Sequence, residues 1–301
     1  MNNKFSLLLP TRGRPHLLAN LFESIVNCTS NLKNIEIVLY IDDDDTDTIN
    51  FKNEHLNIIK IIGPPTSMGE YNMKCLDASS GNIIVLMNDD LILRTPGWDQ
   101  TVSDLLKDIP DGIFLAYPND METKQNMCTF PIMSRKTCDI LVNPYPKEYN
   151  ALYIDVHLFD LFTRLKHLGQ NRMFYLDDII FEHKHFVDGK VRPDASYSHK
   201  NRFKDAMTFI SLRHTRQLSA QRLMAAINDD PLPHLPQPVF VEPPTKNLLK
   251  AASSYFYAFM LDRGLPLKRR FILFVSFTKY YAAMKSGFSF LKRKSYTLYG
   301  D

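Results

Sequence analysis

Two hydrophobic runs that each stop on carboxylates constrain this chain more than any other feature. Residues 35–41 are apolar apart from Glu36 and lead into Asp42, Asp43, Asp44 and Asp45, and residues 83–87 lead into Asn88, Asp89 and Asp90. Short runs rich in Ile and Val, bounded by polar residues, fold as buried strands of a sheet covered on both faces. Open α/β sheets bind their ligands beyond the carboxyl ends of the strands. Carboxylates gathered there hold hard cations such as Mg²⁺ and Mn²⁺, which share them with substrate phosphates. One acidic run is equally well explained as a solvated turn; two, each at a strand end, indicate a site.

The order of elements supports such a sheet. Strands are predicted over 5–9, 35–41, 58–62 and 83–87, with helices between them over 15–25 and 69–78. Pro15 suits a first helical turn, where its missing N–H would be unpaired in any case. This β-α-β-α order predicts an α/β fold with a parallel, doubly wound sheet. Beyond Asp90 the patterning predicts a helix over 98–106, strands over 113–117 and 129–134, and a helix over 154–168. A strand over 173–181 then ends on Glu182, His183, Lys184 and His185, and a helix over 201–226 closes the main body. Pro231, Pro233, Pro236, Pro238, Pro243 and Pro244 form a stiff extended linker. The expected organisation is a main domain over 1–226, a proline-rich linker over 227–245 and a basic, aromatic helical tail over 246–301.

At 301 residues, 45% of them hydrophobic, the chain is long enough to bury a substantial core. Cys28, Cys75, Cys128 and Cys138 show no metal-binding spacing and read as reduced thiols of a cytoplasmic protein. The start is too short in apolar residues for a signal peptide, and no stretch has the length of a membrane span. The net charge of +3 is divided unevenly. From Thr245 onward there are eleven Lys or Arg and two Asp, a surplus of nine, which leaves the first 244 residues at −6. A basic tail on an acidic body suits an anionic surface.

Four motifs together resemble those of the family 2 glycosyltransferases, across roughly residues 4–215. Ser6 to Arg14 is similar to that family's first strand and nucleotide loop, and Ile41 to Asp47 resembles its acidic turn. Met87-Asn88-Asp89-Asp90 falls where the family has its D-x-D motif, with Asn88 replacing the first Asp. Glu182-His183-Lys184-His185 falls where many members carry a late histidine. The helix before the D-x-D strand departs from the family's Ala-Arg-Asn, reading Gly69-Glu70-Tyr71-Asn72-Met73-Lys74, so Asn72 or Lys74 takes the place of that arginine.

The resemblance implies the GT-A fold, Rossmann-like with a mostly parallel sheet flanked by helices. It further implies a metal-dependent, inverting transfer of a sugar from a nucleotide-diphosphate donor, UDP-sugar favoured, to a glycan or lipid-linked hydroxyl, as in cell-surface polysaccharide biosynthesis. Asp90 corresponds to the last Asp of the motif and is the expected ligand of Mn²⁺ or Mg²⁺, with His183 as second ligand and His185 behind it. Asp42 is expected at the base, since a carboxylate accepts the N–H groups of uracil or guanine. Thr11, Arg12 and Arg14 lie within reach of base, ribose and phosphate, although Arg14 is equally explained as a surface arginine. Asn88 is expected at the ribose or a metal-bound water, and Asp89 toward sugar or ribose. The general base of an inverting transfer falls at Asp155, whose plainer reading is a helix N-cap, with Asp177 and Asp178 as alternatives.

In the tail, Lys268, Arg269, Arg270, Lys279 and Lys292 to Lys294 interleave with Phe and Tyr. That pattern matches a helix lying in an anionic membrane interface over 268–294, peripheral on the inner face of a membrane; packing against the main domain explains it nearly as well. A nucleotidyltransferase would need a glycine-rich first loop, where this chain has only Gly13. The remaining alternative is a non-catalytic nucleotide-sugar-binding or membrane-docking module on the same fold. No nucleic-acid motif is present, and no nucleic-acid partner is expected.

Overall fold

The computed structural model describes residues 3–184, 202–239 and 247–286. In chain order the elements begin β1 (Phe5–Thr11), α1 (Pro15–Cys28), β2 (Ile35–Asp42), α2 (Thr46–Ile49), β3 (Asn57–Gly63), α3 (Met68–Ala78) and β4 (Ile83–Leu86). There follow β5 (Leu91–Leu93), α4 (Trp98–Leu105), β6 (Leu115–Asn119), β7 (Ile132–Ser134), α5 (Arg135–Leu141), α6 (Ile154–His167) and β8 (Met173–His183). The described chain closes with α7 (Arg202–Ser211), α8 (Arg213–Ile227), α9 (Leu248–Met260) and α10 (Leu267–Ser286).

Among the described residues the sheet has eight strands, in the order β3-β2-β1-β4-β7-β6-β8-β5. The first four are parallel, as the βαβ reading requires, and so is the β6–β8 pair. Strands β7 and β5 run against their neighbours, so the purely parallel sheet predicted from the first half gives way to a mixed one. Only three residues of the strand predicted over 129–134 enter the sheet, as β7. The single helix predicted over 201–226 is two, divided at Leu212, where ψ opens to 9°.

Alternation along the strands divides the core between the two faces of the sheet. Leu7 and Leu9 of β1 join Phe22, Ile37, Leu39 and Trp98 on one side. Leu8 points the other way, with Val38, Tyr40 and residues of α6, α8, α9 and α10. The tail helices therefore belong to a core layer: Tyr255, Phe259, Phe277 and Tyr281 are buried, and Phe277 stacks on Phe209 at 5.8 Å. Packing against the main body, the plainer of the two tail readings, describes this inner face. Below it Arg164 donates to both oxygens of Asp262 at 3.0 and 2.7 Å, while Asp160 accepts from Arg164 and Arg216, each at 2.7 Å. Residues 231–239 of the proline-rich segment adopt neither helix nor strand; 240–246, and 287–294 of the tail, lie outside the described residues.

Candidate active site

The carboxyl ends of β2, β1 and β4 lie side by side and present the acidic turns along one edge. At the end of β2, Asp42 is buried and both its oxygens are engaged. Tyr71 of α3 donates its hydroxyl to Oδ1 at 2.6 Å, and Arg12 pairs with Oδ2 and reaches Asp44 at 2.7 Å. Tyr71 lies against Tyr40 with ring centroids 4.6 Å apart. Burial first, and then the bond to Asp42, push the Tyr71 phenol well above its ordinary pKa. Asp45 accepts from the amides of Gly13 at 2.6 Å and Thr48 at 3.2 Å, which ties the β1 loop to the first turn of α2.

Arg14 is no surface arginine: it is buried and donates to Asp89 Oδ1 at 2.9 Å, while the Thr11 hydroxyl donates to Oδ2 at 2.8 Å. Asp89 thus binds the loop after β1 to the loop after β4. Burial raises its pKa against the opposing pull of Arg14. Asn88 is exposed at the tip of that loop. Asn72, buried on α3, has an Oδ1 with no hydrogen-bond partner among the described residues. A buried amide oxygen left so costs about 1–3 kcal/mol, the kind of cost a ligand can relieve.

Asp90 and His183 form the next group. β5 follows Asp90 directly and pairs antiparallel with β8, Leu91 opposite His183, and the Lys184 amide donates to the Asp90 carbonyl at 2.7 Å. That pairing brings His183 Nε2 within 3.3 Å of Asp90 Oδ1. Phe130 meets the imidazole edge-on at 5.3 Å and fixes its plane. Burial lowers the histidine pKa, but the bond to Asp90 outweighs it and the net shift is upward. A carboxylate oxygen and an imidazole nitrogen this close suit one divalent cation, since ligand atoms at right angles and about 2.1 Å from a metal lie about 3 Å apart. Among the described residues no third His, Cys, Asp or Glu completes a cluster. Phosphate and water would supply the remaining ligands, which is how Mg²⁺ is commonly held.

Asp155 sits in the first turn of α6, but it is not the N-cap: Tyr153 fills that position in a left-handed conformation, φ 75°. The carboxylate accepts from the Val156 amide at 2.8 Å. Burial raises its pKa to about 6, with His183 and Asp120 close enough to act on it. Asp177 and Asp178 are both exposed on β8, and Asp177 accepts from the Tyr175 hydroxyl at 2.9 Å. His185 lies outside the described residues.

Two residues to which the sequence assigned no role complete the picture. Tyr71 stands beside Asn72, but its bond to Asp42 crosses from helix to strand and leaves no local signal. Asp120, buried, accepts from the amides of Glu122, Thr123 and Lys124 and from Thr129 Oγ1, while its carbonyl accepts from the His183 amide at 3.3 Å. It shapes the loop behind His183.

No protein-family model matches the sequence, and no curated protein does either. Solved structures do match. TarS residues 1–349 from S. aureus, in complex with UDP-GlcNAc, is 12% identical, with 94% of this chain and 92% of that one covered and a TM-score of 0.53. A longer TarS structure is also 12% identical, with 97% of this chain covered at a TM-score of 0.52, and the present chain spans only 54% of its length. The mannosyltransferase PcManGT from Pyrobaculum calidifontis, in complex with GDP-Man and Mn²⁺, is 12% identical over 98% of this chain and 87% of that chain, with a TM-score of 0.50. The architecture is therefore that of the GT-A glycosyltransferases. The chain shares that fold with TarS and PcManGT, similar to both in shape and far from both in sequence.

Proposed function

We propose that this protein is a metal-dependent, inverting glycosyltransferase that moves a sugar from a nucleotide-diphosphate donor, UDP-sugar favoured, to a hydroxyl of a glycan or lipid-linked acceptor. The observation that carries the reading is the Asp90–His183 pair, set on the same sheet edge as the Asp42 group. Structural neighbours that hold UDP-GlcNAc, or GDP-Man with Mn²⁺, support a nucleotide-sugar donor and a divalent ion.

Asp90 and His183 would hold the ion. When bound, it offsets the negative charge that builds on the departing diphosphate. Asp42, flanked by Tyr71 and Arg12, accepts N–H groups of the base, and Arg12 swings from Asp44 toward the nucleotide. Thr11, Arg14 and Asp89 hold the two loops at the spacing the donor needs. The unpartnered amide oxygen of Asn72 turns to the donor, and Asn88 meets the ribose or a water. The acceptor oxygen attacks the anomeric carbon as the bond to the phosphate oxygen breaks, and its proton passes to the Asp155 carboxylate. A carboxylate with a pKa near 6 is a stronger base than an ordinary one and stays ionised at neutral pH. An acceptor carried on a lipid would bring the enzyme to a membrane surface.

Calorimetric titration of UDP, GDP, dTDP and CMP, with and without Mn²⁺, on the wild type and Asp90→Ala tests the reading. Metal-dependent binding of one nucleotide, lost in the variant, is expected. Failure of all four to bind would remove the donor site.

A further inference from the structure

We propose that the outer face of α9 and α10 docks on an anionic lipid bilayer. The inner faces of these helices are in the core, and their outer faces are unusually apolar. Of the twelve large apolar residues exposed among those described, six lie between residues 249 and 271: Leu249, Phe256, Tyr257, Leu261, Leu267 and Phe271. The other six are scattered from Ile62 to Val239, so this concentration is local. Leu249 is 80% exposed and Leu267 66%, too open to be half-finished core.

The exposed side chains share a surface. Leu249 and Phe256 lie seven residues apart on one side of α9, with half-buried Met260 a turn further on and Tyr257 a step round the same side. Phe256 then meets Phe274 of α10 edge-on at 5.8 Å, which joins the two helices across their outer side. Contiguous apolar surface of this kind marks an interaction site.

Charge selects the occupant. Lys250, Lys268 and Lys279 on these helices, and Arg263 in the connection between them, are all exposed. The single acidic residue between 247 and 286 is Asp262, which is buried against Arg164. The outward charge of the segment is therefore wholly positive around the apolar rings. Amphipathic helices in a bilayer interface need that combination: rings and Leu enter the acyl boundary while Lys and Arg meet anionic headgroups. No described helix is long and apolar enough to cross a membrane, so the contact is with its surface.

The test is co-sedimentation of the full chain with vesicles of phosphatidylcholine containing phosphatidylglycerol, against phosphatidylcholine alone, at low and high salt. The expected result is binding to the anionic vesicles that weakens with salt. Lys268→Gln lowers the partition coefficient about fivefold, one headgroup charge contact being removed. Phe271→Ser lowers it roughly tenfold through lost apolar burial. Both variants keep wild-type nucleotide affinity, which separates this proposal from the transferase reading. Equal binding to neutral and anionic vesicles, or binding to neither, overturns it. So does binding that survives both substitutions, because the contact then lies elsewhere on the chain. Self-association dispersed by Phe271→Ser in sedimentation velocity, without vesicle binding, would assign the face to a second copy of the chain instead.

Discussion

His183 Nε2 faces Asp90 Oδ1 at 3.3 Å, a contact made by pairing the shortest class of strand in the sheet, three-residue β5, with the longest, eleven-residue β8. Leu91 and Leu93 of β5 are buried, so the antiparallel pairing is anchored by apolar burial and not by the polar pair it delivers. The geometry at the pair is thus set before any ligand arrives.

Removing one member of the pair should cost metal affinity while leaving the fold intact. His183→Ala is expected to weaken Mn²⁺ binding by at least about tenfold, the low end of what even an outer-shell change costs. Electron paramagnetic resonance titration of free Mn²⁺ reads this directly. Chelation of the metal should likewise weaken nucleotide binding in the wild type and change little in Asp90→Ala. Equal Mn²⁺ affinity in wild type and His183→Ala would take the histidine out of the site.

Asp155 predicts a pH profile. Its burial sets the carboxyl at about 6, and only the ionised form can accept a proton. Turnover should therefore rise with pH through about 6 and level off above it, measured at saturating Mn²⁺. Asp155→Asn should lower turnover by about 10²–10⁴ while nucleotide affinity holds. A turnover that is flat between pH 5 and pH 8 would contradict the assignment.

At the opposite end of the sheet, Glu36 predicts acid sensitivity. Its buried carboxylate accepts from Ser6 Oγ at 2.6 Å and Ser80 Oγ at 2.7 Å, and pairs with Lys4 at 2.6 Å. Burial raises its pKa, but the bonds from Lys4, Ser6 and Ser80 outweigh it and hold the group at about 2. A depressed acid contributes stability above its unfolded value, 4.5, which is lost as pH falls toward about 2. Glu36→Gln should cost roughly 2 kcal/mol at pH 7, allowing for the exposure of Lys4, and about half of that at pH 3. Urea unfolding of both proteins at the two values measures the difference.

Gly69 allows a close backbone approach. A Cβ there would lie 2.0 Å from the carbonyl oxygen of Pro146, and backbone cannot yield as a side chain does. Gly69→Ala should therefore displace α3, which carries Tyr71 and Asn72, at a cost of about 1–3 kcal/mol. A lowered unfolding temperature and a weaker nucleotide titration are expected together.

The strands were legible where burial on both faces leaves a nearly continuous apolar run, as in β1, β2 and β4. β5 was not, because three residues carry no periodicity, and its direction depends on a partner far along the chain. The break at Leu212 was hidden for a related reason, since apolar spacing continues through it from α7 into α8. The acidic turns identified the functional edge, but the side-chain partners did not follow from them. Arg14 and Asp89 meet across the tops of two neighbouring strands, and Tyr71 reaches Asp42 from a helix. Such contacts depend on how the strands and helices pack, which a local pattern does not encode. The plain alternative for Asp155, an N-cap, failed because Tyr153 takes that position by adopting a positive φ rare outside glycine.

The pair between Arg164 and Asp262 gives the tail an electrical role. Arg164, Arg216, Asp160 and Asp262 are two positive and two negative groups with almost no access to water. A chain ended in the proline-rich segment would retain every candidate site residue and leave one carboxylate to answer two guanidiniums. An uncompensated charge in such surroundings costs about 3–5 kcal/mol. It would fall on α6, the helix whose first turn carries Asp155. The unit that keeps these four charges paired is therefore longer than the unit that carries the site.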